Sequence, residues 1–138
     1  MIFSFGESEH ECIKVDVLGY EHPESDDWLA TEIRVQAGGF RGKAVASIMT
    51  AELTAFLPEL QQLFKTLSGS VEFTTLEGQL SLRLIGDNKG HIELSGKVAD
   101  KAGIGNVLHF TLQLDQTQLK ASIHELEKII SQFPVRNN

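Results

Sequence analysis

Two glycines, Gly38 and Gly39, stand between two runs in which apolar and polar residues alternate. Leu29, Thr31, Ile33, Val35 and Ala37 occupy every second position before them, and an extended run from Phe40 to about Ile48 follows. Glycine accepts the positive φ angles that a two-residue hairpin turn demands, and such a turn dictates which residues face each other. Ala37 is therefore expected opposite Phe40, Gln36 opposite Arg41 and Arg34 opposite Lys43. The chain is committed to antiparallel pairing at this point.

The remaining elements follow from periodicity. Ile13, Val15 and Val17 alternate in a first strand, separated from the next by the polar stretch Gly19 to Asp27, which contains Pro23. After the hairpin, Leu53, Phe56, Leu57, Leu60, Leu63, Phe64 and Leu67 recur at helical spacing. Thr50 is expected to cap that helix, Gly69 to end it, and Pro58 to kink it or split off a short first turn. Four more strands carry Val71 and Phe73; Leu80, Leu82 and Leu84; Ile92, Leu94 and Val98; and Leu108, Phe110, Leu112 and Leu114. The turn at Glu77-Gly78 sets Phe73 opposite Leu82 and the outward Glu72 opposite Arg83. A last helix opens at Asp115-Gln116-Thr117-Gln118, a capping-box sequence, with Leu119, Ile123, Leu126, Ile130 and Phe133 as its stripe. No repeat is evident in the residues. The expected fold is a single α+β domain over residues 1–138, of order β-β-β-α-β-β-β-β-α. Its two layers are a largely antiparallel sheet of about seven strands and two helices on one face, which leaves the other sheet face polar and open.

Charge is distributed unevenly. Glu7, Glu9, Glu11, Asp16, Glu21, Glu24, Asp26, Asp27 and Glu32 face a single base, Lys14, in the first 32 residues, whereas the rest of the chain is nearly neutral. The net charge of −7 argues against general binding to nucleic acid or an anionic membrane, because both require basic surface. The start of the chain has neither the basic nor the long apolar segment of a signal peptide, and no run is long enough to span a bilayer. With one cysteine, Cys12, no internal disulfide is possible. These features place the protein in the cytoplasm.

No residue constellation identifies a reaction. His10 and Cys12 with Glu7, Glu9 and Glu11 lack the second cluster that a structural zinc site requires, so neither a metal nor a cofactor is expected. Cys12 has no base placed beside it by the sequence. His91 and His109 fall in neighbouring strands on one outer face and are the best pair an enzyme reading can offer. Two readings fit Asp26-Asp27-Trp28: Trp28 plugs the edge of the core, or it is an aromatic anchor ringed by acids at a protein interface. Two also fit Arg34, Arg41 and Lys43: Asp16 and Glu32 neutralise them, or they form a basic spot on the open face.

Asp27-Trp28-Leu29, Gly38-Gly39-Phe40-Arg41-Gly42, Leu76-Glu77-Gly78-x-Leu80-x-Leu82, Gly90-His91-Ile92 and Asp115-Gln116-Thr117-x-Leu119 together resemble the WapI-type bacterial immunity proteins, over roughly residues 15 to 135. The resemblance implies a non-enzymatic protein that binds and neutralises a co-encoded toxin, often a nuclease. An acidic inhibitor competes for the basic surface such a toxin needs. The expected interface comprises Glu21, Glu24, Asp26, Asp27, Trp28, Arg34, Arg41 and Lys43. A small-ligand binding or accessory domain is the alternative.

Overall fold

In a computed structural model the hairpin forms with the expected pairs: Ala37 faces Phe40, Gln36 faces Arg41 and Arg34 faces Lys43. The structure describes residues 1–24 and 27–136, without the side chains of Glu7 and Ser8. Its elements are β1 (Ile2–Ser8), β2 (Glu11–Tyr20), β3 (Trp28–Ala37), β4 (Phe40–Met49), α1 (Thr50–Thr66), β5 (Ser68–Thr74), β6 (Leu80–Asp87), β7 (His91–Ala99), β8 (Val107–Asp115) and α2 (Gln116–Gln132).

The class is α+β, as the sequence indicates, but the strands divide into two antiparallel sheets, β1-β2-β3-β4 and β5-β6-β7-β8. Each sheet is followed by its helix, so the order ββββα is run through twice without a repeat in the residues. Two differences from the sequence reading produce this arrangement. The first is β1, whose alternating Phe3 and Phe5 are fully buried opposite Val15 and Ile13. The second lies at the outer edge of β4, where no fifth strand pairs. The Val45 carbonyl there accepts instead from Gln79 Nε2 at 2.9 Å, and the same nitrogen donates to the Ala99 carbonyl at 3.2 Å. One buried amide thus stitches the two sheets where a strand pairing would have fused them.

Both halves share one core. Leu53, Phe56, Leu60 and Leu63 of α1 and Leu119, Ile123 and Leu126 of α2 are buried, as the stripes require; further along α2 the fully buried residue is Ile129, and the expected Ile130 and Phe133 are only partly buried. Phe56 stacks on Phe73 of the second sheet at 4.5 Å between ring centroids and lies 6.2 Å from Phe5 of the first. Helix α2 covers the open edge of β1. Glu125 accepts from the Ser4 amide at 2.9 Å, and the Ser122 hydroxyl donates to the Ser4 carbonyl. A covered edge is closed to strand addition.

The helix ends differ in part from expectation. Thr50 is the first helical residue and Met49 the N-cap; in place of a capping hydroxyl, Glu52 accepts from the Met49 amide at 2.9 Å. Leu67, at φ 58°, takes the left-handed position expected of Gly69, which lies inside β5. Helix α1 is continuous through Pro58. At α2 the capping box is complete: Gln118 N donates to Asp115 and Asp115 N to the Gln118 side chain, both at 2.9 Å. Among the described residues no helix is long and apolar enough to cross a membrane.

Candidate functional site

The inward residues of β2, β3 and β4 pack into the core, so the alternate positions form an open face whose rows follow from register. One row runs Ser4, Lys14, Arg34, Lys43 across all four strands. On one side of it lies the row Cys12, Gln36, Arg41; on the other lies Ile2, Asp16, Glu32, Val45. Ala30 faces Ser47, and Trp28 faces Met49, further along the same face. A depression of about 410 Å³ is lined by Lys14, Arg34, Gln36, Arg41 and Lys43, with Glu9 and Cys12 beside them.

Three like charges directly opposed on adjacent strands destabilise a sheet unless something compensates. Glu32 does so in part. It accepts from Arg34 Nε at 2.6 Å and lies 3.6 Å from Lys43 Nζ. The Arg34 hydrogen bond, aided by the charges of Arg34 and Lys43, holds the Glu32 carboxyl below its ordinary range. Asp16 stands opposite Glu32 rather than opposite a base. Arg41 Nε donates to the neutral Gln36 side chain at 2.7 Å.

The acidic loop is divided between two roles. Glu21 is exposed, and its carboxylate accepts from the Ser47 hydroxyl, which brings the loop onto the open face of β4. Glu24 is exposed, and Asp26 lies outside the described residues. Asp27 is turned inward and is only 7 % exposed. Its carboxylate accepts from the Arg136 amide at 2.9 Å and lies 3.6 Å from the Arg136 Nε. The same guanidinium donates to the carbonyls of Pro23 and His22 and sits 3.4 Å from the centre of the Tyr20 ring. Tyr20 in turn donates to the Pro134 carbonyl at 2.8 Å and meets Phe133 edge-on at 5.5 Å. The end of the chain thus straps the loop down and places a cation among its acids.

Five of the eight expected interface residues, Glu21, Trp28, Arg34, Arg41 and Lys43, therefore share one sheet face, with acid and aromatic at one end and cations at the other. Sequence reasoning left Lys14 out. The register of β2 against β3 reveals it, and that register depends on a bulge between Val17 and Gly19. The second sheet has its own outer face, where Glu72 faces Arg83 as expected, with 3.6 Å between their charged atoms. His109 faces Lys97 and His91 faces Asp115, at opposite ends of β7, so the two histidines do not converge. The Cys12 thiol is pushed up by burial, with Lys14 opposing and Glu9 and Glu11 reinforcing the rise. A raised thiol pKa makes a poor nucleophile.

The fold and this face define a two-sheet α+β protein with an open charged sheet surface suited to a macromolecular partner. The chain belongs to the immunity protein WapI-like family, whose model matches residues 2–134. No curated protein matches it. Among solved structures it is similar to a chain of a guide-RNA-binding protein complex bound to a guide RNA, with 11% identity and a TM-score of 0.52, covering 94% of this chain and 89% of that one. It is also similar to a chain of the MRP1/MRP2 structures of Trypanosoma brucei, with 10% identity and a TM-score of 0.50, covering 96% and 86%. At such identities the likeness is one of fold.

Proposed function

We propose that this protein is a non-enzymatic immunity protein that binds and neutralises a co-encoded bacterial toxin in the cytoplasm of the producing cell. Its interface on this reading is the open face of the first sheet together with the exposed part of the acidic loop. Family membership supplies the class. The observation that carries the site is the presence of Glu21, Trp28, Arg34, Arg41 and Lys43 on one solvent-facing surface. Asp27 contributes from behind, by holding the loop in place.

A toxin that cleaves nucleic acid needs basic surface around its active site. Glu21 and Glu24 offer carboxylates to such a surface, and Trp28 adds an aromatic contact of the kind that dominates interface energetics. Charge complementarity of this sort accelerates association and makes it salt-dependent.

The test is titration calorimetry with the toxin domain encoded beside this gene, together with survival of cells expressing it. Wild-type protein should bind and protect. Glu21→Lys with Glu24→Lys should weaken both, with the larger loss at low salt. A toxin that ignores the wild-type protein would remove the immunity reading, whereas undiminished binding by the double variant would remove the acidic loop from the interface.

A further inference from the structure

The open face carries a feature that an acidic inhibitor does not need. In a chain of net charge −7, Lys14, Arg34 and Lys43 are directly opposed across three neighbouring strands, with Arg41 in the adjoining row. Strands lie about 4.8 Å apart, so the cations are held close together at a cost to the free fold. Glu32 touches two of them but brings one charge, and Arg41 is bonded to a neutral amide. The side chains of Arg34 and Lys43 are 65% and 64% exposed. All four cations line the one depression of about 410 Å³.

We propose that this row is the seat of an acidic polypeptide segment of the toxin, whose aspartate or glutamate side chains lie across β2, β3 and β4. The inference rests on the immunity reading and adds the chemistry of the partner at this end of the face. The two ends then have opposite sense: carboxylates of the loop take a basic part of the toxin, and the cation row takes an acidic part. A bipolar surface of this kind sets one orientation and rejects partners docked the wrong way round.

The dimensions favour a peptide over a nucleic acid. Three strands span about 10 Å, room for two or three carboxylates. A polynucleotide carries a phosphate at every nucleotide and continues beyond the patch in both directions. It would then meet Asp16 and Glu32 in the next row and Glu21 further along the face. A short carboxylate-bearing segment fits within those boundaries.

The experiment compares wild-type protein with Lys14→Gln/Arg41→Gln/Lys43→Gln, which keeps the Arg34–Glu32 bond. Both are titrated with the toxin domain at low and moderate salt, and with a twelve-nucleotide single-stranded RNA as the competing class. Circular dichroism and melting confirm that the variant folds. Support is a loss of toxin affinity of about tenfold or more in the variant, with a shallower salt dependence. Lys43→Glu restored by an acid-to-lysine change in the toxin, and by no other toxin change, would identify the segment. Unchanged toxin affinity in the triple variant overturns the inference and leaves the immunity reading standing. Failure of the wild-type protein to bind the toxin at all overturns the reading beneath it. Binding of the RNA at this row, lost in the variant, overturns the inference in favour of a polyanion.

Discussion

The carboxylate of Asp27 accepts a hydrogen bond from the backbone amide of Arg136 at 2.9 Å, across 109 residues of chain. The acid that closes the acidic stretch from Glu21 to Asp27 is therefore part of the scaffold. Its burial matters because a charged acceptor taken out of water needs compensation, and Arg136 supplies it with an amide hydrogen bond and a guanidinium charge 3.6 Å away. The surface offered by the loop is correspondingly smaller than its composition implies.

Replacing Asp27 by alanine removes the acceptor of the Arg136 amide and the carboxylate beside the Arg136 guanidinium. A loss of about 2–4 kcal/mol in unfolding free energy is expected, read from urea denaturation. Asp27→Asn keeps an oxygen for the amide and should lose less. Exchange of the Arg136 amide hydrogen should accelerate in both variants, and more in the alanine. Equal stability of all three proteins would show that the strap contributes nothing.

Local chemistry made much of this fold legible. The Gly38–Gly39 turn is short enough to dictate register, so the facing of Arg34 and Lys43 followed from the residues alone. The Asp115–Gln118 cap and most of both helical stripes were equally readable, because their spacing lies within a few residues, although the last turn of α2 buries Ile129 in place of Ile130. Nonlocal choices were not. The break between the sheets depends on Gln79 reaching Val45 from 34 residues away, and no periodicity encodes it. Lys14 was missed as a member of the cation row because the stretch between β2 and β3 is too long to set register and a bulge shifts it at Val17. The inward turn of Asp27 depends on a partner at the other end of the chain.

Glu32 provides a pH-dependent check on the cation row. Its carboxyl is held below the ordinary range by Arg34 first and by Lys43 with it. A carboxyl with a folded-state pKa below its unfolded value contributes stability that is complete above the unfolded value and is lost as pH falls through the folded one. Arg34→Gln should raise the Glu32 titration toward that of an ordinary glutamate, followed by NMR of its side-chain carbonyl carbon. The variant should also lose less stability than wild type as pH falls through this acid window. An unmoved Glu32 titration would show that Arg34 is not its principal partner.

Gln79 is 4% exposed and joins the sheets through a single nitrogen. Gln79→Ala takes that donor from the part-buried bond to the Val45 carbonyl and from the buried bond to the Ala99 carbonyl, and a buried acceptor such as the latter, so deprived, costs about 1–3 kcal/mol. Gln79→Met, which fills similar space without the donor, separates packing from hydrogen bonding. If methionine restores the melting temperature, the bridge is a matter of volume; if it melts like the alanine, the hydrogen bonds carry the effect.

Gly96 and Phe110 supply a test within the second sheet, because they face each other across β7 and β8. A Cβ on Gly96 would lie 2.2 Å from the Phe110 Cζ, so the ring covers the space a side chain would need. Gly96→Ala should therefore displace the ring and cost about 1–3 kcal/mol through overpacking. In a Phe110→Leu background the same change meets a smaller neighbour. The two substitutions should be non-additive, with the second glycine change costing clearly less than the first, as coupled contacting residues require. Urea unfolding of the four proteins measures the cycle. Equal costs in both backgrounds would mean that glycine is needed at position 96 for a reason other than the ring above it.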